Sequence, residues 1–432
     1  MFALKPLAVS LSIHYPSVSI FDHQTLAVYS SHKMLKMPPK LHLLPLIVIS
    51  VLGCCMEMDI SIPSFPSVMV HFGVSEAQVQ NTLSLNFLAF CLSGLFYGPL
   101  SEAWGRRGLM LFGATCFLIG AWGCVFSYSI YQLMFWRFIQ GLGASSALVL
   151  GFAMISDRYN GEVAANYIGK VNAYITIFMA SAPILGSVII NYFNWRANFT
   201  AIALIASLSW LLLIQQLPET LSQKQPLKLK TVLKNYAAVL SHGKFLLYAN
   251  MPNMLVTGYL TFVGSAAFYY INTCGLSYFQ YAMHQGLVVF CFSAMSFYAH
   301  KIVEKIGGAQ AVKFGVTCSV LSIVFMTAFA FIFPLKPVLI TATMCFFAIG
   351  CAFPMSITFA QSMEVIPTLR GACSSFIMSS RLLVSSAAIA LTGVFFDGTM
   401  RPVALVNGVA VGLALWMYYR LQKFPQSRRE GH

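Results

Sequence analysis

Four charged side chains stand inside stretches that are otherwise apolar: Glu57, Asp59, Arg137 and Arg381. A charge at the centre of a membrane helix costs about 2.5–3.5 kcal/mol on insertion scales. Each of the four therefore needs a partner or a task. Asp59 opens the run Asp59-Ile60-Ser61-Ile62-Pro63. Pro63 has no N–H, so the carbonyl four residues back, on Asp59 itself, loses its helical partner. The opened backbone lies beside a carboxylate that is costly to keep ionised in low-dielectric surroundings, and such a group can take up and release a proton. The competing reading places Asp59 at the outer end of its helix, in water. Glu57 lies roughly 200° around a helix from Asp59, so the two cannot face one cavity equally. Glu57 is either a second protonatable group or the partner of a neighbouring helix.

Arg137 opens Arg137-Phe138-Ile139-Gln140-Gly141-Leu142-Gly143. Arg137, Gln140 and Gly141 share one helix face by the i, i+3, i+4 rule, and the glycines let another helix approach closely. An arginine cannot deprotonate here and must find an acid or carbonyls. It is either a structural tie or a switchable cation that sets the proton affinity of a nearby acid. The G-x-G lies within an apolar span, without the preceding strand that a dinucleotide fingerprint requires. Arg381 sits among Ser379, Ser380, Ser385 and Ser386. It can pair with Glu57 across the molecule, bind an anionic substrate group, or form another structural ion pair. With Arg381, the amides Gln140 and Asn86 are candidates to line a substrate cavity. The eleven cysteines include no C-x-x-C pair and the nine histidines no H-E-x-x-H, so neither a metal nor a cofactor is expected. Nor is there a cluster of nucleophiles to make an enzyme.

The elements that must position these residues follow from composition. The chain is 58% hydrophobic and 9% charged, with a mean hydropathy of +0.75. Soluble domains carry about 25% charge. The apolar residues fall into twelve blocks long enough to cross a bilayer: 41–63, 77–100, 108–128, 131–156, 163–191, 197–217, 244–271, 277–299, 314–334, 337–361, 370–396 and 402–420. They are continuously apolar, so they are helices and not the alternating strands of a barrel. The net charge of +14 is a topology signal and does not mark a nucleic-acid surface. With both termini in the cytoplasm, only Arg196, Lys336 and Arg401 among the loop cations fall outside, as the retention of positive loops predicts. Anionic lipid headgroups are the natural neighbours of the others. Residues 1–40 read as a poorly ordered extension, with Met34 and Met37 as alternative starts. Residues 41–217 form six spans, 218–243 a polar cytoplasmic linker, 244–421 six more spans, and 422–432 a cytoplasmic tail. Two such halves enclose a pathway that either alone would leave facing lipid.

The loop after the second span reads Gly98-Pro99-Leu100-Ser101-Glu102-Ala103-Trp104-Gly105-Arg106-Arg107; after the eighth, at the matching point of the second half, come Glu304 and Gly307 among lysines. The first of these resembles the signature loop G-x-L-[AS]-D-[RK]-x-G-R-[RK] of the major facilitator superfamily, with Glu102 for the usual Asp and Ala103 for a usual cation. Arg137-x-x-Gln140-Gly141-x-Gly143 is similar to that family's fourth-helix motif, and Asp157 follows it. Asp59-x-x-x-Pro63 resembles the first helix of the bicyclomycin/chloramphenicol-resistance branch. In the fifth helix Gly169, Pro183 and Gly186 match the antiporter motif, while Phe178, Ala182 and Ser187 occupy its other glycine positions. Arg381 has no counterpart in the branch pattern. The resemblance covers about residues 41–421. It implies an all-α fold of two pseudo-symmetric six-helix halves in an inner membrane, working by alternating access, for which a monomer suffices. It also implies a loop that latches the cytoplasmic side, proton coupling through Arg137, and export of small lipophilic molecules in exchange for protons, for which Asp59, with or without Glu57, is the expected proton carrier. A proton-coupled importer or exporter of a specific, anionic or zwitterionic, metabolite on the same fold is the alternative.

Overall fold

A computed structural model describes residues 43–424. The extension at 1–40, with Met34 and Met37, and the tail at 425–432 lie outside the described residues. Among the described residues twelve helices are long and apolar enough to cross a membrane: Leu43–Phe72, Glu76–Trp104, Arg106–Val125, Ile130–Arg158, Gly161–Tyr192, Trp195–Gln216, Gly243–Thr273, Tyr278–Ile306, Gly308–Ile332, Pro337–Val365, Pro367–Phe395 and Arg401–Gln422. They match the twelve apolar blocks one for one. Several overrun their blocks because a helix continues past the hydrocarbon until a capping residue stops it.

The two halves repeat in detail. The second and eighth spans each begin with a Ser-x-x-Gln capping box, Ser75 with Gln78 and Ser277 with Gln280. Each is 29 residues long and each stops at a glycine of positive φ, Gly105 at 103° and Gly307 at 82°. A side chain is strained in that backbone region. Within the first half the second and third spans pack on the fourth, the third on the sixth, and the first on the fifth. Adding six to each ordinal gives the contacts of the second half: eighth and ninth on tenth, ninth on twelfth, seventh on eleventh. The halves meet where the second span crosses the eleventh and the fifth crosses the eighth, again a pair related by the same shift.

Glycine sets the closest crossings. A Cβ at Gly143 would run into the backbone of Gly113 and Phe117, and one at Gly141 into the carbonyl of Asn86. A Cβ at Gly315 would lie 2.5 Å from the Gly350 carbonyl, and one at Gly350 2.8 Å from that of Gly315. Overpacking of this kind costs about 1–3 kcal/mol, and more where backbone blocks the relief. Gly143→Leu is expected to lower the melting temperature of the purified protein clearly, whereas Gly98→Leu, where a Cβ would meet nothing within 4 Å, is expected to leave it unchanged. Thermal unfolding of the two variants in detergent checks this.

Two elements differ from the sequence reading. The first span does not stop near Pro63: Leu43–Ile60 passes through a 3-10 turn at Ile62–Ser64 into a second helical piece, Phe65–Phe72. The turn takes in Pro63, Pro66 sits in the first turn of the second piece, and Ser64 Oγ donates to the Ser61 carbonyl at 2.6 Å. The 218–243 connection is not merely polar, because Leu229–Ser241 is a helix. Its Val239 is fully buried with Phe245 and Ala249 of the seventh span and Cys373 and Ile377 of the eleventh. Its Tyr236 hydroxyl donates to the Leu95 carbonyl of the second span at 2.9 Å.

Candidate functional site

Glu57 and Arg137 form an ion pair in the interior of the first half, each 1% exposed. The Arg137 Nη1 that reaches Glu57 also donates to Gln140 Oε1 at 3.0 Å. Asn86 Nδ2 donates to the Arg137 carbonyl at 3.0 Å, and the guanidinium lies 5.8 Å over the Phe199 ring. The fourth span thus ties the first, second and sixth at one node. Of the options open for Arg137, an acid on the first span is the partner it has. Glu57 Oε1 and Arg137 Nε and Nη2 have no hydrogen-bond partner among the described residues. A buried pair held by one strong contact is costly to break by removing either member.

Asp59 faces elsewhere, as a two-residue offset requires. It is 8% exposed and inside the span, not at a helix end in water. Its carboxylate has no hydrogen bond among the described residues. The charged groups and hydroxyls in electrostatic reach of it are Glu57 on its own helix, and Tyr259 and Tyr281 on the seventh and eighth spans. Tyr259 OH accepts from Gln285 Nε2 at 3.3 Å, and the buried Tyr281 OH has no hydrogen-bond partner among the described residues. A buried acid of the first half therefore lies within electrostatic reach of hydroxyls of the second. Tyr259, Tyr281 and Gln285 escaped the sequence reading because nothing separates them from the other tyrosines and glutamines without knowing which helices cross. Nearby, the first span also touches the fifth: a Cβ at Gly186 would strike the Ile60 carbonyl, and Asn198 Nδ2 donates to the Gly186 carbonyl at 3.2 Å. Pro183 is buried on the same helix, while a Cβ at Gly169 would meet nothing within 4 Å.

Arg381 does not pair with Glu57, which Arg137 already engages. Ion pairs join Arg106 to Asp157, Arg137 to Glu57 and His300 to Glu304, and Arg381 is in none of these. Its Nε donates to Asn253 Oδ1 at 3.0 Å. Either side of it the eleventh span is fastened to the second: Ser379 Oγ donates to the Cys91 carbonyl at 3.1 Å, and Ser84 and Ser386 lie hydroxyl to hydroxyl at 2.9 Å.

The signature loop is fastened to its own half and to the start of the 218–243 connection. Arg106 Nε bonds Asp157 Oδ2 at 2.9 Å and its Nη1 bonds Ser101 Oγ at 2.5 Å. Glu219 accepts from the backbone N–H groups of Arg106 and Arg107 at 3.0 and 3.2 Å, placing a carboxylate on the positive end of the third span. Arg107 donates to the carbonyls of Leu217 and Ile214 at 2.8 and 3.0 Å. Glu102 is exposed and its side chain has no partner among the described residues, although its carbonyl accepts from Gln225 N at 2.9 Å. Pro99 lies within the second helix, and a Cβ at Gly98 would meet nothing within 4 Å. Glu219 was missed because a cap reaching back over more than a hundred residues leaves no local spacing to read.

Comparison with known proteins places this arrangement. The chain is 25% identical over 375 residues to the Bicyclomycin resistance protein homolog of Haemophilus influenzae, covering 84% of this chain and 92% of that one. It is also 25% identical over 330 residues to the Chloramphenicol resistance protein CraA of Acinetobacter baumannii, covering 74% and 79%. Among solved structures, that of a D-xylose-proton symporter shares its fold at a TM-score of 0.69 and 16% identity, over 89% of this chain and 98% of that one. The family model of the Major Facilitator Superfamily matches residues 47–389. The chain is a multi-pass membrane transporter belonging to the Major Facilitator Superfamily.

Proposed function

We propose that the protein exports small lipophilic molecules across the inner membrane in exchange for protons. The observation that carries this reading is Asp59, a buried carboxylate of the first half within electrostatic reach of Tyr259 and Tyr281 of the second. An ionised carboxylate shut between the halves costs several kcal/mol, whereas a protonated one costs far less. Protonation therefore favours the state in which the halves close over Asp59, and loss of the proton favours the state in which water reaches it. That dependence is what coupling requires. The resistance proteins named above support export and a lipophilic substrate. In this reading the basic loops, the 218–243 linker and both termini face the cytoplasm, and the fastening of Arg106 to Asp157 holds that end of the first half as one rigid unit. Protons enter by way of Asp59, with Glu57 and Arg137 setting the charge beside it.

Each charge driven through the membrane draws about 2.3 kcal/mol per 100 mV, and 1.4 kcal/mol is tenfold in concentration. One proton per cycle sustains roughly fifty-fold accumulation at that potential. Energised cells expressing the chain are expected to clear a lipophilic dye, and a protonophore is expected to stop them. Clearance that persists with the gradient collapsed would refute proton coupling. Uptake in place of efflux would point to the second reading, a carrier for a specific metabolite, which the unpaired Arg381 favours.

A further inference from the structure

Arg381 is a cation within the eleventh span that pairs with no acid among the described residues. It lies part-buried in the stretch fastened to the second span. Its one hydrogen bond from the side chain goes to a neutral amide, Asn253 Oδ1. That amide is itself fixed: Asn253 Nδ2 donates to the Ile377 carbonyl and to Ser380 Oγ, both at 2.9 Å. On the following turn Ser385 Oγ donates back to the Arg381 carbonyl at 2.8 Å and meets Thr257 Oγ1 at 3.1 Å. The neighbours thus orient the guanidinium and leave its charge uncompensated. With Nε occupied, the edge formed by Nη1 and Nη2 has no partner among the described residues, and that edge offers two parallel N–H donors, the geometry that takes a carboxylate.

We propose that Arg381 is the recognition point for the acidic group of the substrate, and that the molecules carried include lipophilic monocarboxylates. One arginine balances one negative charge, so a monoanion leaves the region neutral and a dianion does not. The rest of the neighbourhood is hydroxyl and amide, from Ser380, Ser385, Thr257 and Asn253, which tolerates a polar head without adding charge. A departing anion and an entering proton also move charge in the same electrical direction, so the membrane potential drives both legs. This assignment rests on the exporter reading above for its direction, but not for the binding itself.

The test is binding of paired probes to the full-length protein in detergent, with no gradient present: pyrenebutyric, naphthylacetic and biphenylacetic acids, each against its methyl ester. The wild type is expected to bind the acids at least about tenfold more tightly than the esters, as charge-assisted hydrogen bonds provide. Arg381→Gln is expected to erase that preference while ester affinity stays within about twofold, and Arg381→Lys, which keeps the charge but loses the fork, to retain part of it. Asn253→Ala frees the guanidinium and is expected to weaken the preference several-fold, which keeps the proposal testable should Arg381→Gln fail to fold. Equal loss of acids and esters in Arg381→Gln would make the residue a structural tie. A preference that survives in that variant, or no preference in the wild type for any of the three pairs, would also overturn the assignment. Acid preference in detergent without proton-dependent export in cells would sink the exporter reading and leave this one standing.

Discussion

Asp59→Asn is expected to abolish uphill export while leaving the protein folded and inserted. The side chain keeps its shape but can no longer exchange a proton, so its burial no longer depends on protonation. Nothing of the fold depends on its charge: Asp59 has no hydrogen bond and no ion pair among the described residues, so the amide replaces it without orphaning a partner. The roughly fifty-fold accumulation that one proton supplies at 100 mV should fall to none. Facilitated movement down a gradient should survive, since alternation itself needs only that the halves exchange packing. Reconstituted vesicles separate the two: the variant should equilibrate a substrate at a measurable rate but never accumulate it when a proton gradient is imposed. Accumulation by the variant would move the proton site off Asp59. Loss of both accumulation and equilibration, with normal insertion, would give Asp59 a role in the conformational change beyond carrying the proton.

How much of this was legible beforehand depends on the range of each interaction. The twelve spans were readable because hydrocarbon selects for some twenty apolar residues in a row, a local property that needs no partner. The helical offset between Glu57 and Asp59 was readable for the same reason. What lies opposite each was not: Arg137 could be seen to need an acid, yet Glu57 and Asp59 were equally available in the sequence, and only the crossing of the first and fourth spans separates them. Arg381 shows the opposite case, since the sequence offered it Glu57 and the fold gives it Asn253. The linker helix was hidden by Pro226 and the surrounding lysines, although Val232, Tyr236, Val239 and Leu240 have helical spacing. Its buried side became decisive only with the seventh and eleventh spans in place. The Ser-x-x-Gln boxes at Ser75 and Ser277 were the clearest unused signal of duplication, because capping boxes are local and repeat at matching points.

Removing one member of the Glu57–Arg137 pair is expected to be the most damaging single change to stability. Glu57→Gln leaves a guanidinium that cannot deprotonate in a site where Arg137 is 1% exposed. Breaking a buried pair in this way costs about 3–5 kcal/mol, in line with the insertion cost of a lone charge at mid-membrane. The yield of monodisperse protein should fall sharply for Glu57→Gln, and for Arg137→Met, which strands the carboxylate instead. Joining the two changes removes both charges together, and apolar or neutral replacements of a buried pair are often no less stable than the pair itself. The double variant should therefore recover most of the lost yield, a positive coupling that a double-mutant cycle on thermal unfolding reads directly. Transport divides the remaining possibilities. If the pair only ties helices together, the double variant should export as the wild type does. If Arg137 sets the charge seen by Asp59 during the cycle, the recovered protein should stay folded and fail to accumulate substrate. The second outcome is expected, because Glu57 is among the groups whose charge reaches Asp59, so neutralising the node changes the field around the proton site even where it preserves the packing.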